Sequence, residues 1–242
     1  MPNDMSRHEL NKNQLADYID SGIDWALGNR NTFYAVAGTA AGLLLFGIFF
    51  FTRLQEARLR NEEKLSMADY MVRGNDASQA EQGMNMLSEV IRNSPTSSTG
   101  LRAAMVKANA LMARPDYAGA EAVLVNAIDG KNGDKKLLPF LYSMLGILYE
   151  NTGKLPQAIG IYNSYLGKFP DHFLTPRIYE SLGRAQELSD QQAEAKATYE
   201  RIVTMYPASP WAQNAQERLI NISNMQAAAP HTPSPRPLPA GK

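Results

Sequence analysis

The chain has 242 residues with 24 basic and 24 acidic side chains, so its formal net charge is zero. This balance gives no electrostatic reason to expect nucleic acid as a partner, and the absence of cysteine excludes disulfides, thiolate metal sites and cysteine nucleophiles. Abundant Ala, Leu, Met, Gln and Glu favour helices, and no run of alternating β-branched residues predicts a sheet. The composition therefore predicts an all-α protein.

The first predicted element is a short amphipathic helix in a leader of residues 1–31. Leu15, Ile19, Ile23 and Ala26 share one helical face. This pattern predicts a helix at a membrane surface. The acidic residues on the rest of the helix argue against strong attachment to anionic lipid.

An uncharged segment follows at residues 32–52, with the sequence TFYAVAGTAAGLLLFGIFFFT. About 20 apolar residues in a helix span the hydrocarbon core of a bilayer, so the segment predicts a transmembrane helix. A cleaved signal peptide fits poorly because a long leader precedes the segment and no small-x-small site follows it. Gly38 and Gly42 form a small-xxx-small pair of the kind that lets membrane helices approach closely. A homodimer through this pair, a helical membrane partner and ordinary membrane-helix composition all stay open.

The orientation of the membrane segment is left open by local charge. Arg30 precedes the segment, whereas Arg53, Arg58, Arg60 and Lys64 follow it. The positive-inside rule therefore favours a cytoplasmic C-terminal side, although long domains translocate largely regardless of charge.

A repeat of 37 or 38 residues occupies the region after the membrane segment. The stretch LGILYENTGKLPQAIGIYNSYLGKFP at 145–170 recurs at 182–207 as LGRAQELSDQQAEAKATYERIVTMYP. Two weaker copies upstream keep the period at small, large and helix-ending positions: Gly83, Ala120, Ala158 and Ala195; Leu87, Leu124, Tyr162 and Tyr199; Pro95, Asn132, Pro170 and Pro207. Turn residues divide each copy into two helical runs at Gly74–Asn75, Pro115–Asp116, Thr152–Gly153 and Ser189–Asp190. The region therefore predicts helical hairpins that bury their apolar faces by stacking.

Each repeated position has a structural reason. Small residues allow two helices to cross closely, and proline after the second helix ends it. The rings of Tyr162 and Tyr199 are predicted to fill the gap against the following hairpin.

The copy that begins at residue 145 resembles the tetratricopeptide repeat through Leu145, Gly146, Tyr149, Ala158, Tyr162 and Pro170. The copy at 182–207 departs from that pattern at Gln186, where the family usually has an aromatic residue. The resemblance implies a solenoid of about four hairpins, which we place at residues 53–225.

Two segments follow the last repeat. In SPWAQNAQERLINI, residues 209–222, a stripe of Trp211, Ala215, Leu219 and Ile222 predicts a capping helix. The tail at 226–242 holds five prolines and is predicted to be extended and disordered. It is either a spacer or a proline-motif ligand for a recognition domain.

The sequence predicts neither an enzyme nor a metal or cofactor site. His8, His172 and His231 fall in the leader, an inter-repeat loop and the tail, so they form no ligand constellation. Neither a phosphate-binding glycine loop nor a GxSxG motif is present in the sequence. Glu150 and Glu187 recur at equivalent repeat positions, which indicates a structural or groove-lining role rather than acid–base catalysis.

The family resemblance implies that the first helix of each hairpin lines a concave groove that binds a protein partner. The predicted groove residues are Arg102, Met105, Asn109 and Met112, then Phe140, Ser143, Ile147 and Glu150, and last Arg177, Glu180, Arg184 and Glu187. Met105 and Met112 fit a groove or a core equally well. Some family members hold a terminal carboxylate, but Met105 stands where that mode needs a basic residue, so we reject it.

The layout of leader, single span and repeats also resembles the ancillary SecYEG translocon subunits, which are bacterial inner-membrane proteins with a periplasmic tetratricopeptide domain. An aromatic–x–x–x–Asn pattern, Trp25 and Asn29, precedes the span as in that family. The resemblance implies a periplasmic chaperone or scaffold for secreted and envelope proteins. Two alternatives stay open. One is a scaffold subunit of a cell-envelope assembly complex, which the terminal YPASPWAQNAQERL resembles, and the other is a cytoplasm-facing membrane adaptor.

Overall fold

The computed structural model describes the backbone of residues 7–130 and 133–228, and the side chains of 17–130 and 133–225. Within these ranges the chain forms helices and contains no strand, which confirms the predicted all-α class. The helices are α1 (Arg7–Gly28), α2 (Arg30–Arg73), α3 (Ala77–Asn93), α4 (Ser98–Ala113), α5 (Tyr117–Asp129), α6 (Leu138–Asn151), α7 (Leu155–Lys168), α8 (Thr175–Leu188), α9 (Gln192–Met205) and α10 (Pro210–Ala228).

The chain divides into two compact units, Met1–Arg60 and Asn61–Lys242. The first unit contains α1 and the apolar part of α2. The side chain of Leu15 lies outside the described residues, while Ile19 and Ile23 on α1 are about half exposed, at 53% and 51%.

Helix α2 has the composition of a membrane span. An 18-residue window in it has a mean hydropathy of 2.0, and 0% of that window is buried in the structure. By length and composition the helix can cross a bilayer. A signal sequence near an N-terminus has the same properties.

The second unit is a stack of four helical hairpins closed by a single helix. The end of α2 pairs with α3, α4 with α5, α6 with α7, and α8 with α9, and α10 packs on the last pair. The hairpins turn at the four predicted positions, and the solenoid is the predicted one. Asn132 and residues 229–242 of the predicted tail lie outside the described backbone.

Local sequence explains where the helices begin. The side chains of Asp76, Ser97 and Asp116 accept hydrogen bonds from the first backbone N–H groups of α3, α4 and α5. Helices α6, α7 and α8 instead begin with a proline at the first or second position, where proline loses no hydrogen bond.

The repeated positions form the core. The large residues Leu87, Leu124, Tyr162 and Tyr199 are at most 1% exposed, and Ala120, Ala158 and Ala195 are fully buried. A Cβ added to Gly146 would collide with the Tyr162 ring, and one added to Gly183 would lie 2.7 Å from the Tyr199 ring. Each ring therefore rests on the first helix of its own hairpin, where glycine provides the space, and not only against the following hairpin as the repeat had suggested.

The tip of the third hairpin needs glycine for its conformation. Gly153 has a φ of +69°, and Asp190, which stands at the equivalent position of the next hairpin, has a φ of 60°. Glycine adopts this left-handed region freely, and Asp is among the residues that tolerate it best.

Helix α10 has the predicted amphipathic pattern. Ala215 and Ile222 are buried, Trp211 and Leu219 pack against the same cluster, and the cluster continues into Tyr199. The other face of α10 is exposed to solvent, so the helix covers the apolar end of the stack.

Candidate functional site

The first helices of the hairpins form one continuous surface. Helix α4 approaches α6, α6 approaches α8, and α8 approaches α10. Among the described residues no comparable approach joins α5 to α7 or α7 to α9. The stack is therefore tighter on the side of the first helices, which makes this the concave side.

Five predicted groove residues come together in one cleft of about 270 Å³ between α6 and α8. They are Ile147, Glu150, Arg177, Glu180 and Arg184. Asn151 and Ser181 complete the lining. Because the walls belong to successive hairpins, the cleft exists only in the stacked repeat.

The Glu150 carboxylate is the centre of a polar network in this cleft. Arg184 of the next hairpin donates from Nε to Oε1 at 3.0 Å and from its terminal nitrogen to Oε2 at 3.2 Å. The Tyr162 hydroxyl donates to Oε2. The Glu150 side chain is only 9% exposed, so its charge is held by donors rather than by solvent. The wall of the cleft is therefore preformed.

The same network affects the titration of Tyr162. Burial, and next the hydrogen bond to Glu150, raises the pKa of Tyr162 far above its ordinary value of 10.0. The phenol therefore stays protonated and keeps donating to the carboxylate throughout the physiological range.

The equivalent site in the last hairpin is built more loosely. Glu187 pairs with Arg218 of α10 at 3.5 Å, but Arg218 is 52% exposed. The Tyr199 hydroxyl, buried like that of Tyr162, has no hydrogen-bond partner among the described atoms. Each recurrent glutamate thus joins its hairpin to the next helix of the stack, and the Glu150 site is the more fully bonded of the two.

An aromatic cluster lies at the start of α6 and α8. Phe140, a predicted groove residue, contacts His172 with a ring separation of 5.5 Å and Phe173 with one of 6.0 Å. Phe173 is 67% exposed. The cluster offers apolar surface beside Arg177, which is exposed and forms no ion pair with a described residue.

His172 belongs to the support of this cluster. Its Nδ1 accepts from the Leu174 backbone N–H at 3.3 Å and lies 2.7 Å from the Tyr165 hydroxyl. Because a backbone N–H can only donate, Nδ1 carries no proton and the neutral ring is protonated at Nε2. Burial lowers the pKa of His172 below its ordinary value of 6.5 and raises the pKa of Tyr165 to about 12.

The predicted groove residues of the second hairpin, and Ser143 of the third, differ from one another in burial and in contacts. Arg102 is bonded to Glu62 at 2.9 Å, and Asn109 is exposed. Met105 and Met112 are half-buried and pack against the main core cluster. Ser143 is 5% exposed and lies in the core rather than at the surface.

The cleft between α6 and α8 combines one apolar residue with charged and polar side chains. Ile147 is its apolar residue, and the guanidinium of Arg177, which pairs with no described carboxylate, carries hydrogen-bond donors. Among residues 17–130 and 133–225, no group of acidic or histidine side chains is arranged to hold a metal ion. Gly38 and Gly42, predicted for helix packing, have open space beside them on α2.

Sequence reasoning missed the partners of the recurrent glutamates. Arg184 was predicted only as a groove residue, and no role was predicted for Arg218. Each arginine lies two helices after its glutamate, on α8 after α6 and on α10 after α8. The spacing is 34 residues from Glu150 to Arg184 and 31 from Glu187 to Arg218. Both values are shorter than the repeat step of 37 or 38 residues, so the repeat period did not indicate these pairs.

These hairpins, their shared core and the first-helix groove define a helical-repeat binding scaffold. A tetratricopeptide repeat family model matches residues 142–172 and 181–209, so the third and fourth hairpins are tetratricopeptide repeats. Proteins with such repeats typically bind other proteins and are non-catalytic.

Two solved structures of one protein show the same fold. The chain is similar to a kinesin light chain-like protein of Podosopora anserina with nearly identical TPR-like repeats, at 16% identity and a TM-score of 0.54, covering 70% of this chain and 87% of that one. A second structure of that protein gives the same values. The MamA protein is similar at 21% identity and a TM-score of 0.48, covering 62% of this chain and 75% of that one. No curated protein matches the chain in sequence.

Proposed function

We propose that this chain is a membrane-anchored binding protein whose first-helix groove receives segments of secreted or envelope proteins at the bacterial inner-membrane translocon. It acts there as a chaperone or scaffold and catalyses no reaction. The apolar part of α2 is its anchor, and the repeat unit lies in the periplasm. The observation that carries the proposal is the cleft between α6 and α8, where Ile147 and an exposed Arg177 that pairs with no described carboxylate lie in an otherwise polar lining.

The groove suits extended chain segments better than a folded surface. The Glu150–Arg184 pair gives one side a fixed polar wall, which can align the backbone amides of a bound segment. Phe173 and the half-buried methionines Met105 and Met112 supply apolar contacts, and methionine adapts to side chains of different shape. Such a surface favours moderate affinity for many unfolded segments over tight binding to one.

The apolar segment of α2 supports the anchor. Its hydropathy and length meet the requirement for a span, and the basic residues that follow it do not prevent translocation of a long domain. The resemblance of the layout to ancillary SecYEG subunits supports the choice of the translocon as the site of action.

Two measurements test the proposal. The first is topology, with a reporter active only outside the cytoplasm fused after Lys242 and a cytoplasm-active reporter as control. The second is photo-crosslinking from a probe placed at Arg177, with a probe at the exposed Glu200 of α9 as the matched control. We expect external reporter activity, and crosslinks from Arg177 but not Glu200 to secreted chains in transit.

A cytoplasm-facing adaptor is the second candidate, because Arg53, Arg58 and Arg60 follow the apolar segment. Internal reporter activity would establish the adaptor topology and exclude a role at the periplasmic side of the translocon. External activity with one stoichiometric crosslinked partner would instead identify a scaffold subunit of an envelope assembly complex.

A further inference from the structure

A second cleft, also of about 270 Å³, lies between the second helices α3 and α5, with α4 as its floor. Ile91 and Val123 form its apolar walls, and Ala104 lies at its base. Lys107 and Arg92 stand at the same cleft. Ala104 and Lys107 lie on the side of α4 away from Arg102 and Asn109, so this cleft is separate from the first-helix groove.

Ala104 departs from the repeat at this point. The repeat spacing places Tyr142 at the equivalent position of the third hairpin, 38 residues later, and Tyr179 at that of the fourth, 37 residues after that. The Tyr142 ring is 7% exposed and packs on Phe169 at 5.7 Å. Tyr179 lies between α7 and α9 and lines the corresponding cleft there. In the second hairpin the chain provides a methyl group where the other two provide a phenol ring.

Lys107 is a second departure in the same cleft. Its equivalents are Leu145 and Leu182, which are 2% and 3% exposed in the core. Lys107 is half-buried, and its Nζ donates to the Ser88 hydroxyl at 2.8 Å. A cation at a position that is otherwise leucine costs desolvation, and an anionic ligand would offset that cost.

The two cations of the cleft are not paired with carboxylates of the described residues. Neither Lys107 nor Arg92 forms an ion pair with a described carboxylate. Glu89, the acidic group on this part of α3, is bound to Lys64 at 2.5 Å, and Arg92 acts on it only at longer range. By contrast, the cleft between α7 and α9 contains both Glu194 and Arg201. Compared with the α7–α9 cleft, the α3–α5 cleft lacks the aromatic ring and has an excess of positive charge.

We propose that the cleft between α3 and α5 binds a peptide segment of a partner protein in which an aromatic side chain stands next to acidic residues. The aromatic ring lies over Ala104, in the place that Tyr142 and Tyr179 occupy in their hairpins. The adjacent carboxylates accept hydrogen bonds from Lys107 and Arg92. The ring contributes affinity through burial, and the two cations provide selectivity and accelerate association.

The test is calorimetric titration of the full chain in detergent micelles with a short Gly/Ser peptide that carries one Trp between two Glu residues. Matched peptides replace Trp by Ala or both Glu by Gln. Ala104→Tyr restores the residue of the other hairpins, and we expect it to weaken binding about tenfold or more while the midpoint of thermal unfolding is kept. Lys107→Leu likewise restores the repeat and is expected to weaken binding several-fold and to reduce its salt dependence.

The controls separate this site from the groove. Arg177→Glu lies in the α6–α8 cleft and is expected to leave this peptide's affinity unchanged, whatever it does to crosslinking of secreted chains. Unchanged affinity of the folded Ala104→Tyr variant, equal binding of the Trp and Ala peptides, or absence of binding to the wild-type chain would each overturn the proposal. If Ala104→Tyr unfolds the chain, the Lys107→Leu variant and the matched peptides decide it.

Discussion

Arg184 of α8 reaches back to Glu150 of α6 and donates two hydrogen bonds to its carboxylate, at 3.0 and 3.2 Å. This contact joins the third hairpin to the fourth, whereas the contacts of Tyr162 with Gly146 and of Tyr199 with Gly183 lie within single hairpins. The pair also lines the candidate groove, so one contact both stabilises the stack and shapes the surface that we propose for binding.

We expect Arg184→Ala to lower the free energy of unfolding by about 2 kcal/mol, because it leaves a mostly buried carboxylate without its ionic donor. Arg218→Ala is the matched control. Its partner Glu187 is at 3.5 Å and Arg218 is 52% exposed, so its loss should cost less than about 1 kcal/mol. Urea unfolding measures the loss of unfolding free energy in both variants. Equal losses would show that the Glu150 site stabilises the stack no more than the Glu187 site does.

The two buried tyrosines should differ in how loss of the hydroxyl group changes the free energy of unfolding. Tyr162→Phe removes a donor from Glu150 and should cost about 1–2 kcal/mol. Tyr199→Phe removes a hydroxyl without a described partner and should leave stability unchanged within about 0.5 kcal/mol or raise it. Thermal unfolding of the pair checks this, and a Tyr199→Phe cost as large as that of Tyr162→Phe would contradict it.

Gly146→Ala should destabilise the chain by about 1–3 kcal/mol, because the new methyl group collides with the fully buried Tyr162 ring. Gly160 in α7 has open space around it, so Gly160→Ala should raise stability by about 0.5–1 kcal/mol through helix propensity. Chemical denaturation of both variants provides the measurement. A stabilising Gly146→Ala would show that the ring can move aside.

Stability should fall as the pH is lowered from 7 towards 5 because of His172. Burial holds the pKa of His172 in the folded chain below 6.5, so below that pH the unfolded chain binds the proton more readily and is favoured. Protonation at Nδ1 would also break the bond from the Leu174 N–H. His172→Asn keeps an acceptor without titrating, and we expect it to flatten the decline in unfolding free energy over this range.

The carboxylate of Glu121 ceases to stabilise the fold at a lower pH than His172 does. The pH ranges in which the two groups change the free energy of unfolding are therefore separate. The hydrogen bond from Lys154 lowers the pKa of Glu121 below its ordinary value of 4.5, so its stabilising effect is lost only as the pH falls through that lower range. A slope between pH 7 and 5 that is the same in wild type and His172→Asn would assign the decline to another group.

Some of the groove could be foreseen because a repeat assigns positions. Ile147, Glu150 and Arg184 were predicted for one surface, and they meet in one cleft. Ser143 was predicted for the same surface and is buried, because the residue that faces the core depends on how far the first helix rotates in the stack. Gln186 illustrates the same limit. It replaces the family's aromatic residue, and its Oε1 accepts a hydrogen bond from Thr198 at 2.7 Å within the core, a pairing that no spacing rule indicated.

The sequence by itself determined the all-α class, the number of hairpins, their turns and the apolar segment of α2. These features follow from composition, hydrophobic periodicity and the positions of glycine and proline, which are local properties of the chain. Only the tertiary structure decided which side chains meet across hairpins. Arg184 bonds to Glu150, Tyr162 rests on Gly146, and Ala104 lies at the base of a cleft, because helix rotation and side-chain volume are settled when all neighbours pack at once.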